Sequence, residues 1–272
     1  ADDKMNDFRG QIAFRPDLTE IPAAPDGRIT FYPGTELTQQ DRTIASRLEY
    51  DLTDNLTAHV GLGYRDNTIE QVFPVNMSGG IDANGNFDVM NTYYDSYSKT
   101  LSGDIGVQAR FNTGSVGHTL SLGATRMSQE TGNAYSPGTT VVPSNVYDPS
   151  PLPANSPVRG DPRRSAETTL DSLAIADTLS FAQDRVLLTL GARKQTVDID
   201  SYSTATGAKT QSYRASSISP VVGIVVKPLA NVSVFGNFTD GLTAGSIVGP
   251  RYKNAGEVLK PYKSKQYEAG VK

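Results

Sequence analysis

Few residues in this chain have the type and spacing for chemistry. It holds two histidines and no cysteine. His59 lies on the polar side of an alternating run and His118 beside a short turn, and neither belongs to an HExxH or comparable ligand spacing. Thiolate centres are therefore excluded, and no histidine centre is readable. There is no GxSxG elbow and no glycine-rich phosphate loop, so no catalytic residue is assigned. Asp82-Ala83-Asn84-Gly85-Asn86-Phe87-Asp88 repeats oxygen ligands at every second position, as a calcium loop does. Such a loop needs glycine at its sixth position and glutamate at its twelfth, where Phe87 and Tyr93 stand. Asn84-Gly85 between Ile81 and Phe87 reads instead as a type I′ hairpin turn. No metal site and no covalently bound cofactor is expected.

What remains is binding chemistry. Arg159, Arg163 and Arg164 fall close together in a proline-punctuated stretch. Guanidinium forks pair well with anionic oxygens, although most such charges are simply solvated loop residues. Arg159-Gly160-Asp161 matches an adhesion tripeptide, but a three-residue match arises by chance, and Pro157 and Pro162 account for the loop without it. Tyr93, Tyr94 and Tyr97 sit where a long loop enters a strand. They suit either a ligand vestibule or an interfacial aromatic girdle, the girdle being the preferred reading for Tyr97. Arg251 and Tyr252 are comparable candidates in a later loop.

The elements that carry these side chains are strands. Ile44, Ser46, Leu48, Tyr50 and Leu52 alternate with Thr43, Ala45, Arg47, Glu49 and Asp51; after Thr53-Asp54-Asn55 the alternation returns through Leu56 to Tyr64. The pattern recurs from Leu101 to Phe111, at Leu120–Ala124, Leu173–Phe181, Val186–Ala192, Ile218–Val226, Val232–Phe238 and Ser264–Lys272. About nine runs of some ten residues result, twice the usual soluble strand and the length a tilted strand needs to cross a bilayer. Connections alternate between short (53–55, 112–117, 182–185, 228–231) and long (about 67–95, 130–167, 203–212, 241–262). Short turns at one rim and long loops at the other are the asymmetry of an outer-membrane barrel. Residues 1–40 read as a leading segment, with a possible strand from Phe8 to Phe14 before a Pro-rich loop.

Composition agrees. Apolar residues make up 37%, and the mean hydropathy of -0.37 suits a wall that turns every second residue to a wet lumen. The formal net charge of -4 gives no electrostatic case for nucleic acid. No apolar run is long enough for a transmembrane helix. The expected fold is all-β: an antiparallel transmembrane β-barrel, of which residues 1–272 form a central or partial segment with short periplasmic turns and long extracellular loops. An odd strand count and alternation running to the last residue suggest that the barrel does not close within this chain, and no signal peptide opens it.

The C-terminal stretch resembles TonB-dependent siderophore receptors of the bacterial outer membrane. The resemblance rests on Phe235-Gly236-Asn237-Phe238-Thr239-Asp240-Gly241-Leu242 and on Asn254-Ala255-Gly256-Glu257-Val258-Leu259, Pro261 and Ser264 to Lys272. Arg47 to Leu52, Gly61 to Asp66 and Asn145-Val146-Tyr147-Asp148-Pro149 also resemble segments of that family's barrels. The resemblance implies a receptor, not an enzyme: a ferric siderophore as ligand, outer-membrane lipid as surroundings, and the TonB complex as partner through an N-terminal plug region not seen in these residues. Candidate ligand-binding residues are then Tyr93, Tyr94, Arg159, Arg163, Arg164, Arg251 and Tyr252. A β-rich adhesive surface domain and a diffusion porin are the alternatives.

Overall fold

A computed structural model describes the chain except residues 8–12, 155–157, 244–247, 249–251, 254–258 and 260–261, and the side chain of Leu242. Its ten strands form one antiparallel sheet in strict sequence order. They are β1 (Asp2–Asn6), β2 (Glu36–Thr53), β3 (Leu56–Asn76), β4 (Asn86–Thr113), β5 (Val116–Asn145), β6 (Arg163–Phe181), β7 (Val186–Tyr202), β8 (Lys209–Leu229), β9 (Val232–Thr243) and β10 (Tyr262–Val271). Nine are long, and β1 is a five-residue edge strand on β2 that the alternation does not foretell. The strand expected at Phe8 to Phe14 falls largely outside the described residues; Phe14 itself makes a single parallel bridge to Ile81.

The short connections lie where the sequence puts them, between β2 and β3, β4 and β5, β6 and β7, and β8 and β9. Two of the long ones are much shorter than expected. β3 runs on to Asn76, β4 starts at Asn86, and β5 continues to Asn145, so most of 67–95 and part of 130–167 are strand. The reason is that period-two patterning fades once a strand leaves the bilayer, because neither face then has to be uniformly apolar. Backbone pairing needs no such pattern and continues.

Register separates two faces. From Asn76↔Val89 to Leu56↔Ala109 the β3–β4 ladder keeps one register, so odd-numbered residues of β4 share a face along its whole length. That face carries Leu101 and Ile105, and its neighbours include Leu48, Val60, Leu122, Leu173, Ile175 and Val222, all exposed. The opposite face carries Arg47, Glu49, His59, Asp104, Gln108 and Arg193. A bare apolar face and a polar one on a single-layer sheet fit lipid outside and water within. They do not fit a sandwich, whose apolar faces meet. Prolines mark the ladder locally: the pairing of β9 with β8 ends at Val221, next to Pro220, which has no N–H to give.

The buried core lies elsewhere, at the long-loop end. Tyr32, Ile81, Phe87, Val89 and Val146 are almost fully buried, with Phe31, Val142 and Leu152 packed against them. Tyr32 meets Phe87 edge-on, with ring centroids 5.9 Å apart. Three connections are thus pinned together above the wall. The Asp82–Asn86 turn is a hairpin as expected, but not type I′, which needs positive φ at both central residues. Only Gly85 has it (+83°), while Asp82 Oδ1 accepts the Asn84 and Asn86 amides at 2.8 Å each. The aspartate turns the backbone itself, so Asn84 need not be left-handed.

Candidate functional site

Register divides the candidate residues between the two faces. Tyr94 stands on the polar face opposite Tyr135, its direct partner across β4–β5, and its ring lies 6.2 Å from that of Phe73. Phe73 shares the face through its partner Thr92. Arg163 joins them by pairing with Asn133, two residues below Tyr135, and donates to the Ala205 carbonyl at 3.1 Å. All four stand seventeen to nineteen residues from the short turns. At about 3.3 Å per residue and a 45° tilt that is about 40 Å, above the apolar band of about 25 Å. Three rings and a guanidinium therefore line the inner wall at its mouth, half open to solvent. Tyr135 and Phe73 escaped sequence reading because each stands without the neighbouring tyrosine or arginine that singled out Tyr94 and Arg163 in the same stretches.

Tyr93, Arg159 and Arg164 face the other way. Tyr93 is odd-numbered on β4, and the Arg159 guanidinium lies 4.1 Å over its ring. Arg159 is ion-paired to Asp95, whose side chain is 7% exposed and also accepts the Gln71 amide at 3.1 Å. Gly160 N–H donates to Ser136 Oγ at 3.1 Å. The Arg-Gly-Asp tripeptide thus has its arginine committed within the protein, which leaves an adhesive reading without its principal contact. Arg164 donates to Glu167 at 2.5 Å and stacks 3.8 Å over Tyr202, whose hydroxyl donates to the same carboxylate at 2.8 Å. That hydroxyl, then Arg164, hold the Glu167 carboxyl below its ordinary range.

Tyr97 is outward-facing but sixteen residues above its turn, beyond the apolar band, so it does not sit at a membrane girdle. Its hydroxyl donates to Glu130 at 2.7 Å, and burial, reinforced by that carboxylate, pushes its pKa up to about 12. Tyr252 is exposed, and Arg251 lies outside the described residues.

Lower on the polar face, Asp104 collects Arg47 at 3.3 Å and His59 at 3.2 Å. Gly106 makes room for that imidazole: a Cβ there would come 2.5 Å from His59 Cε1 and 2.8 Å from the Leu122 carbonyl. His118 was expected beside a turn, and it is, but on the apolar face, bonded to Asp177 at 2.7 Å with Phe111 stacked on it at 4.7 Å. Among the described residues no group of three or more His, Cys, Asp or Glu could hold a metal ion.

A one-layer antiparallel wall, apolar outside and polar inside, with short turns at one rim and its polypeptide mass at the other, defines an outer-membrane β-barrel protein. The chain belongs to the TonB dependent receptor-like, beta-barrel family, whose model matches residues 3–272. The family is one of transport receptors of the bacterial outer membrane. Ferrichrome receptor FcuA of Yersinia enterocolitica is 28% identical over 266 residues, 93% of this chain and 34% of that protein. BauA, the ferric preacinetobactin receptor of Acinetobacter baumannii, superposes with a TM-score of 0.81 at 28% identity over 99% of this chain and 40% of that one. The ferripyoverdine receptor of Pseudomonas aeruginosa superposes at 0.71 with 16% identity, over 99% of this chain and 36% of its own, a likeness of fold alone. The chain thus spans little more than a third of the length of the receptors it matches.

Proposed function

We propose that this chain is a stretch of barrel wall from a TonB-dependent receptor that takes up a ferric siderophore. The observation that carries the reading is the family match over residues 3–272, joined to relatives whose names are those of ferric-siderophore receptors. The mouth of the wall supports it: Phe73, Tyr94 and Tyr135 offer ring faces, and Arg163 offers a fixed cation at the same level. An iron chelate of mixed apolar and anionic surface suits such a lining, because rings bury area and a guanidinium binds carboxylate or hydroxamate oxygens. Tyr94 and Arg163 are retained as ligand contacts, Phe73 and Tyr135 are added, and Tyr93, Arg159 and Arg164 are assigned to holding the extracellular strands in shape. Energy would come from the TonB complex acting on the whole receptor.

The test is fluorescence quenching of the full-length receptor by a panel of ferric hydroxamate, catecholate and mixed siderophores. Saturable binding of one class, weakened about tenfold or more by Tyr94→Ala or Arg163→Gln, is the expected result. Binding of no chelate, or equal loss with Arg164→Gln, would sink the assignment.

A further inference from the structure

The inner face of the wall carries a hollow well below its mouth. Ala174 and Ala176 of β6, Gly191 and Arg193 of β7, and Ser219 and Val221 of β8 are among its lining, and its volume is about 500 Å³. Register sets these six side by side in two rows. Ala174 pairs with Arg193 and Arg193 with Ser219, while Ala176 pairs with Gly191 and Gly191 with Val221. Small residues make the depression. Gly191 lets Ala176 close over its backbone, since a Cβ there would stand 2.9 Å from the Ala176 Cβ and 2.9 Å from the Ile175 carbonyl oxygen.

Two polar groups in the upper row have no partner. Ser219 is 5% exposed, and its Oγ makes no hydrogen bond among the described residues. A hydroxyl buried this far is normally bonded. Arg193, directly across from it, forms no ion pair among the described residues. Opposed side chains on neighbouring strands start about 5 Å apart at Cβ, close enough for both to hold one group. The inward residues around Arg193 on β6 and β8 are Ser172, Ala174, Ala176, Ser217, Ser219 and Val221, and none is acidic. Asp240 borders the hollow, but it follows the inward Thr239 on β9 and so alternates to the outward side.

Depth gives the charge its reach. Arg193 stands seven residues above the start of β7. At about 3.3 Å per residue and 45° that is about 16 Å, within an apolar band about 25 Å tall and far below the ring-lined mouth. An unpaired cation in a concave site with a low-dielectric wall behind it focuses the field and concentrates anions.

We propose that this hollow binds a carboxylate. Its two oxygens take the Arg193 fork, the Ser219 hydroxyl donates to one of them, and its aliphatic stem lies against Ala174, Ala176 and Val221. A planar anion with two oxygens matches a guanidinium bidentately. One cation neutralises one negative charge, so a phosphate dianion would keep an uncompensated charge beside an apolar wall. The carboxylate is that of a small organic acid in the lumen or of an acidic side chain from the rest of the receptor; both bring the same chemistry. The inference does not depend on which chelate is transported.

The test is arginine footprinting of the full-length receptor with phenylglyoxal, read by peptide mass spectrometry. Arg214, whose side chain is 74% exposed, serves as internal reference. If a solute fills the hollow, Arg193 should react about as fast as Arg214 in carboxylate-free buffer and about tenfold slower in butyrate, with no slowing by butyramide. If the receptor's own chain fills it, Arg193 should already be about tenfold slower without butyrate. Carbodiimide treatment of the Arg193→Lys variant separates the sources: the new amine should couple to added butyrate in the first case and to an acidic residue of the receptor in the second. Ser219→Ala should weaken the protection about tenfold in either case, the loss expected for one hydrogen bond to a charged group. Reaction as fast as Arg214 in the presence of butyrate, equal protection by butyramide, slow reaction with no coupling product, or full protection in Ser219→Ala would each overturn the inference.

Discussion

Removing Arg159 separates two roles that sequence alone leaves together. Its partner Asp95 is buried, with a side chain 7% exposed, and keeps only the Gln71 amide once the guanidinium is gone. Deleting one member of a buried pair costs about 3–5 kcal/mol, because the surviving charge is left unpaired. Arg159 is itself 35% exposed, which argues for the lower end, the lost contact with the Tyr93 ring included. A local loss of about 3 kcal/mol corresponds to a roughly hundredfold increase in opening of the 158–162 segment. Hydrogen exchange of the full-length Arg159→Ala receptor reads this directly. The Gly160 amide, now bonded to Ser136, should lose about two orders of magnitude of protection, and the Gln71 amide should lose part of its own. Adding Asp95→Asn should restore much of both, since a neutral amide tolerates burial that a lone carboxylate does not. Affinity for the ferric chelate should stay within about threefold, because this pair lies on the outward side of β4. Unchanged protection would show that Asp95 does not depend on Arg159. A tenfold loss of affinity with protection intact would make Arg159 a ligand contact and refute the division by face.

Other consequences are as direct. Phe87→Ala should cost about 3–5 kcal/mol in the extracellular core, seen as early proteolysis in the 77–85 and 146–154 connections while the wall stays folded. Gly132→Ala places a methyl 2.1 Å from the Tyr97 ring and 2.8 Å from the Arg163 carbonyl. It should destabilise by about 1–3 kcal/mol in a denaturant titration, and a neutral result would mean that Tyr97 swings away freely. The Glu167 carboxyl is held low by Tyr202 and then Arg164, so its contribution is full above its unfolded pKa and is lost as pH falls through the depressed folded value. Exchange protection around residues 163–167 and 200–209 should therefore decline below about pH 4, and Glu167→Gln should flatten that dependence.

The sequence by itself determined the wall. Alternation from Thr43 to Tyr64 and its recurrences settle strand identity, face and the short turns, because a bilayer forces every second residue to be apolar and every backbone group to be paired. Those same residues and the C-terminal motif were enough to suggest the family. Above the membrane that constraint ends. Tertiary structure alone decided that residues 67–76 and 130–145 continue as strand, and that Tyr32, Ile81, Phe87 and Val146 close over one another from three connections. It also parted Tyr94 and Arg163 from their sequence neighbours Tyr93 and Arg164. Adjacent residues on a strand point to opposite faces, so the side each takes depends on register across the sheet, and pairing between distant segments sets that register.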